Sequence, residues 1–257
     1  MFSKTYRDAL RNSLIARARD DERITAAALT GSASVDNEDE WSDIDLAMAV
    51  ASGADQRQLI ADWTSLMYGE HGAVHHTDVN RGAALFRVFL LGNTLQVDLA
   101  FWPEAEFGPI APTFRLLFGS ANNRPSAPSS SFGELVGMAW LYALHARSSI
   151  ARGRVWQAEY MISGMRDYVV ALACLRHGLP TVYARGADRL PEAIANAFKT
   201  TLLHSLDEHE LRRAFVAVCE LLLTEVKAVD IKLGARLASP LNELRDYGLA
   251  MGSRGTR

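Results

Sequence analysis

Two cysteines in 257 residues, Cys174 and Cys219, leave no basis for a disulfide framework, and both fall inside apolar stretches with helical spacing. Thiols so placed are small buried core residues, and their scarcity suits a reducing compartment. Long apolar runs are also missing. No stretch approaches the roughly 20 residues that a membrane span needs. The N-terminal "MFSKTYRDALRNSLIARARDDER" is charged throughout, so no membrane partner is expected and a cytoplasmic location is. An excess of positive charge is lacking too: a net charge of −3 argues against a general nucleic-acid binder. The charge that exists is unevenly placed. Residues 1–125 carry 11 Lys and Arg against 17 Asp and Glu, and residues 126–257 carry 16 against 13. An acidic first half suits divalent metals and a cationic substrate better than a polynucleotide track.

What is present is a chain with 49% hydrophobic residues, enough for one large domain or two smaller ones, each with its own core. Residues 5–19 have helical spacing, "ITAAALTG" reads as a short buried strand ending in glycine, and "DIDLAMAV" begins a second strand at Asp43. A helix is predicted over 55–69. Strands follow at 84–92 and 95–102, joined by the hairpin pair Gly92-Asn93. The sum is a small mixed sheet of four or five strands. "NNRPSAPSSS", residues 122–131, has linker composition. Beyond it helical periodicity dominates: helices at 133–152 and 155–177, one opened by Asp207 with Glu210 at capping-box spacing, and a final one starting at Ser239-Pro240. The predicted class is α+β, with a sheet domain over 1–121 and a bundle of about five helices over 132–257.

The chemistry concentrates in "TGSASVDNEDEWSDIDLAMAV", residues 30–50. On a strand, Asp43 and Asp45 project to one side while Ile44 and Leu46 face the core. Two carboxylates on one face, with no basic residue between positions 24 and 56, repel unless a cation sits between them. Magnesium fits, because it takes one or two carboxylates together with phosphate oxygens. The Gly31-Ser32 turn after a strand suits a phosphate. Asp98 interrupts the apolar strand "LQVDLAFW", where an unsatisfied carboxylate is costly, and supplies a third acid. Residues 36–40 read as a solvated acidic loop.

Gly31-Ser32, ten intervening residues and then Ser42-Asp43-Ile44-Asp45-Leu46 resembles the signature of the polymerase β nucleotidyltransferase superfamily, and the helical second half resembles the layout of its antibiotic nucleotidyltransferases. The likeness is motif-specific at residues 30–50 and 95–101. Where many small members carry an Arg-Gly pair shortly after the Gly-Ser, Val35-Asp36 stands here, so no arginine of this loop helps with phosphate. The resemblance implies that Asp43 and Asp45 hold Mg²⁺, and that Gly31 and Ser32 bind the β and γ phosphates of a triphosphate. Asp98 would then bind the metal that activates the acceptor hydroxyl, or act as its base. It also implies ATP as the donor of AMP.

In the helical half, Val155, Ala158, Ile162, Met165, Val169 and Leu172 form an apolar stripe. Trp156, Glu159, Tyr160, Ser163, Arg166 and Asp167 lie opposite. That face is either plainly solvated or turned toward a cleft, where Glu159 binds a cationic acceptor or serves as an alternative base and Arg166 meets phosphate. Arg185 and Arg189 flank a loop before a helix, within reach of a triphosphate or simply as surface charge. Glu104 and Glu106, just past the Asp98 strand, would favour a polyamine-like acceptor if they line the site. The expected partners are a nucleoside triphosphate and a small-molecule hydroxyl, first an aminoglycoside and then a lincosamide, and a homodimer is compatible. Modification of tRNA or protein, and a nucleotide-binding or oligomerisation module without turnover, are the rival readings.

Overall fold

The computed structural model describes residues 1–124 and 130–249. The chain divides into two compact units, Met1–Ala127 and Pro128–Arg257. The linker expected over 122–131 includes residues 125–129, which lie outside the described residues.

The first unit runs α1 (Lys4–Asp20), β1 (Ile24–Thr30), a short turn of helix (Gly31–Val35), β2 (Ile44–Val50), α2 (Gln56–Glu70), β3 (Ala73–Arg81), β4 (Ala84–Leu91), β5 (Gln96–Pro103) and β6 (Phe114–Phe118). Its sheet has six strands in the order β3-β4-β5-β2-β1-β6, one more than the upper expectation. All recorded pairs are antiparallel except β2 with β5. That parallel pair is possible because α2, β3 and β4 intervene as a long crossover. Alternation along the strands divides the sheet into two faces. Ile44, Leu46, Met48, Val97, Leu99 and Phe101 pack against Leu10 and Leu14 of α1 and Leu59, Trp63 and Met67 of α2. The opposite face is paved with Ala26, Ala28, Ala47, Ala49, Ala84 and Ala100, over which Trp102 and Phe107 pack. The acids of the 30–50 motif belong to this alanine face.

The second unit is helical: α3 (Phe132–Ala151), α4 (Val155–Arg176), α5 (Glu192–Lys199), α6 (Glu208–Val229) and α7 (Ile231–Leu249). Its core takes the predicted stripe of α4, with Ala158, Ile162, Met165, Val169 and Leu172 all buried. The starts of α3 and α6 fall within a residue of those expected, with different capping, and that of α7 does not. α3 begins with a true capping box, Ser131 accepting from the Glu134 amide (3.2 Å) while Glu134 Oε2 accepts from the Ser131 amide (2.8 Å), although Ser131 reads as linker. At α6 no capping box forms: Asp207 accepts from the Ser205 hydroxyl (2.7 Å), and Glu210 is held by Arg213 and the His204 amide. Arg213 pulls the Glu210 carboxyl down to about 2. The final helix does not start at Ser239-Pro240. It starts eight residues earlier, where Asp230 Oδ1 accepts from the Leu233 amide (2.8 Å), and it runs through Pro240. A mid-helix proline costs about 3 kcal/mol. The apolar stripe Leu233, Leu237, Leu241 and Leu244 packs into the core on both sides of it and offsets that cost. No helix among the described residues is long and apolar enough to cross a membrane.

Candidate active site

Asp43 sits immediately before β2 and Asp45 is its second residue, so both project from the alanine face. The parallel register places Asp45 beside Asp98 and Ala47 beside Ala100. Asp43, Asp45 and Asp98 each offer a carboxylate oxygen within 4.8 Å of the other two, the one such grouping of His, Cys, Asp and Glu among the described residues. All three are half-buried. Gln96 Nε2 bridges two of them, donating to Asp98 Oδ1 (3.0 Å) and Asp43 Oδ2 (3.3 Å). Burial pushes the Asp98 carboxyl up to about 6; the Gln96 hydrogen bond opposes that rise, and the negative charge of Asp43 adds to it. A magnesium ion with oxygens at about 2.1 Å needs its ligands no more than about 4.2 Å apart. The 4.8 Å limit on their spread lies close to that distance, so the donor set fits a hard divalent cation.

The turn after β1 is built against this cluster. Gly31 has φ +61°, and a Cβ added there would lie 2.0 Å from Asp45 Oδ2. Glycine is therefore required twice, by the backbone conformation and by the carboxylate packed on its Cα. The two serines of the turn have different work. Ser34 Oγ donates to the Gly31 carbonyl (2.8 Å) and closes the turn, whereas Ser32 lends only its carbonyl, accepting from the Asn37 amide (3.0 Å). Among the described residues the Ser32 hydroxyl takes no part in closing the turn.

The acidic stretch beyond the turn is mostly exposed, as a solvated loop is, and it is also tied down by hydrogen bonds. Arg7 of α1, fully buried, donates to the carbonyls of Asp39 and Ser42 and pairs with Glu38 (3.5 Å). Arg11 binds the same Glu38. Asp39 accepts from the Trp41 amide (2.9 Å) and the Ser42 hydroxyl (3.0 Å), which holds its carboxyl below the usual range. This lacing fixes the approach to Asp43.

No family model and no curated protein matches the sequence. Among solved structures, the chain is similar to an aminoglycoside 6-adenyltransferase from Bacillus subtilis, at 14% identity and TM-score 0.39, covering 93% of this chain and 98% of that one. It is also similar to a nucleotidyltransferase-like protein from Exiguobacterium sibiricum 255-15, at 15% identity and TM-score 0.38, covering 93% and 87%. Likeness this distant leaves the chemistry to be argued from the side chains.

A functional candidate that local sequence patterns do not mark is Arg115 on the edge strand β6. Its Nη2 donates to the Ala33 carbonyl and its Nη1 pairs with Asp36, both at 2.7 Å. The turn without an arginine of its own receives one from about eighty residues away in the chain. Glu104 is not close to the trio. It follows the far end of β5, six residues beyond Asp98 and so about 20 Å along the strand, where it accepts a long hydrogen bond from Ser52 (3.5 Å).

In the helical unit, Glu159 and Arg166 meet on one side chain: the Ser163 hydroxyl donates to Glu159 Oε1 (2.7 Å) and accepts from Arg166 Nη2 (3.0 Å). Arg166 Nη1 also reaches the Thr201 carbonyl (3.4 Å). Trp156 and Tyr160, one turn apart on α4, are 75% and 62% exposed. Arg185 stacks over the Tyr183 ring at 5.7 Å in an exposed loop.

Proposed function

We propose that the protein is a magnesium-dependent nucleotidyltransferase that moves a nucleoside monophosphate, AMP from ATP, onto a hydroxyl of a cationic small molecule such as an aminoglycoside. The observation that carries this reading is the convergence of Asp43, Asp45 and Asp98 from two adjacent strands beside the Gly31 turn. The motif resemblance agrees with it. Bound there, magnesium would neutralise phosphate charge and lower the pKa of the attacking hydroxyl. Asp43 and Asp45 hold the cation, and Asp98 either completes its ligand set or takes the hydroxyl proton. A carboxyl raised toward neutrality is suited to that second role. Ser32 and the Gly31 backbone receive the terminal phosphates, with Arg115 supplying positive charge beside them. Arg166 and Arg185 are further candidates for phosphate.

The acidic balance of residues 1–125 supports a cationic acceptor. On the helical unit, Glu159 and the exposed Trp156 offer a carboxylate and an aromatic face of the kind that binds ammonium groups. Glu104, far from the trio along β5, is the weaker candidate. The reading assigns nucleotidyl transfer to residues 1–121 and acceptor recognition to the bundle over 132–257, in a cytoplasmic enzyme.

The test is transfer from α-³²P-labelled triphosphates to a panel of aminoglycosides, lincosamides and total tRNA, with pyrophosphate release measured in parallel. Magnesium-dependent labelling of an aminoglycoside, abolished by Asp45→Asn, is expected. Labelling of tRNA or protein alone would overturn the acceptor, and full turnover in Asp45→Asn would overturn the reaction.

A further inference from the structure

The alanine face that carries the acids also carries a pocket. Thr30, Ala47, Phe86, Trp102, Phe107 and Phe114 line it, and its volume is about 160 Å³. These residues come from five of the six strands and from the segment following β5, so the pocket has the sheet as its floor and residues 107–113 as its roof. The alanines matter here. Ala47 and its neighbours Ala28 and Ala100 leave the floor flat, and the rings of Phe86 and Trp102 (5.9 Å between centroids) and of Phe107 and Phe114 (5.7 Å) stand around it. Polar groups, Arg81 and the hydroxyls of Thr30 and Thr113, are few among the lining residues.

Size and lining together define the occupant. An apolar cavity of about 150 Å³ takes one benzene-sized ring. Flat aromatic walls add stacking, which is indifferent to the pattern of ring nitrogens. Position supplies the rest. Thr30 directly precedes Gly31, and Ala47 lies two residues beyond Asp45 on the same face, about 7 Å along the strand. A ring seated here belongs to a molecule whose other end is held at the Gly31 turn and the acids.

We propose that this pocket seats the nucleobase of the donor triphosphate, its ring packed on the alanine floor among Phe86, Trp102, Phe107 and Phe114. The proposal rests on the nucleotidyltransferase reading and adds to it the part of the donor that the acids and the turn do not touch. Arg81, whose guanidinium lies over the Phe86 ring at 5.5 Å, brings hydrogen-bond donors to the pocket. It meets acceptor atoms on the edge of the base.

Ala111 is exposed and contributes to the lining, so a larger side chain there enters the pocket from its solvent side. Titration calorimetry of the full chain in magnesium compares each of ATP, GTP, CTP and UTP with tripolyphosphate, which has the phosphates and no base. Ala111→Phe and, independently, Thr113→Trp are expected to weaken binding of the preferred nucleotide about tenfold or more while tripolyphosphate binds as before. Retained tripolyphosphate binding shows that the variants are folded with the turn intact. Unchanged affinity for all four nucleotides in both variants would overturn the proposal and leave the nucleotidyltransferase reading standing. A parallel loss of nucleotide and tripolyphosphate would also overturn it. Failure of the wild-type protein to bind either kind of ligand would sink the underlying reading, and the pocket assignment with it.

Discussion

Replacing Asp98 by asparagine should make the protein more stable and metal-blind at once. The folded-state carboxyl titrates at about 6 against an ordinary 3.8. A carboxyl whose pKa is raised by folding favours the protonated native state, so its ionisation opposes folding. The penalty is absent below pH 3.8, grows between 3.8 and 6, and is complete above 6. A shift of just over two units corresponds to about 3 kcal/mol at most. Since Asp98 is only half-buried, solvent screening reduces that to about 1–2 kcal/mol. Asparagine keeps an oxygen for the Gln96 hydrogen bond, so the substitution removes charge and little else. Hydrogen exchange of the β2 and β5 amides, read by mass spectrometry with chelator present, assigns the effect to the sheet and not to the helical unit. Asp98→Asn should protect those amides by that amount at pH 8 and by no more than about 0.5 kcal/mol at pH 4. Magnesium at a hundred times its dissociation constant should stabilise the wild-type sheet by about 2.7 kcal/mol and the variant far less. A variant that is no more stable at pH 8 without metal, or that gains as much from magnesium as the wild type, would refute the reasoning.

Other perturbations separate the parts of the site. Gly31→Ala places a methyl group on Asp45 Oδ2 and should lower Mn²⁺ affinity about 10- to 100-fold in an equilibrium titration. Ser32→Ala should raise the KM for triphosphate about tenfold with a small loss of stability, whereas Ser34→Ala should cost about 1 kcal/mol of stability in urea denaturation because the Gly31 carbonyl loses its donor. Arg7→Met leaves two carbonyls without their buried donor and Glu38 with Arg11 alone, and should cost about 3 kcal/mol by the same measurement.

The central elements were legible because burial writes periodicity into them. β1, β2 and β5 are apolar on the face that meets α1 and α2, and α4 carries its stripe without interruption. The two outermost strands were less so. β3, "AVHHTDVNR", is exposed at most of its positions, and β6 is five residues long and nowhere fully buried. An edge strand pairs on one side only, and neither of these needs the alternation that a core imposes. The same limit applies to the site. Asp43, Asp45 and Asp98 stood out as acids in apolar surroundings, whereas Arg115 reaches the turn through the β1–β6 pairing, which nothing local encodes. Arg7 looked like one of the many charges of an N-terminal segment that is charged throughout. Its burial follows from where the acidic loop folds back onto α1.

The parallel pairing of β2 with β5 divides the candidate site between two stretches of chain that meet only after the intervening hairpin is laid down. The tight bend at Gly82, φ +62° and open around its Cα, lies between them. A break there would put Asp43 and Asp45 on one fragment and Asp98 on the other. Neither piece alone could gather three carboxylates, so activity would report on their reunion. Fused to two proteins that bind each other, the halves would make a complementation sensor whose signal depends on rejoining one strand pair.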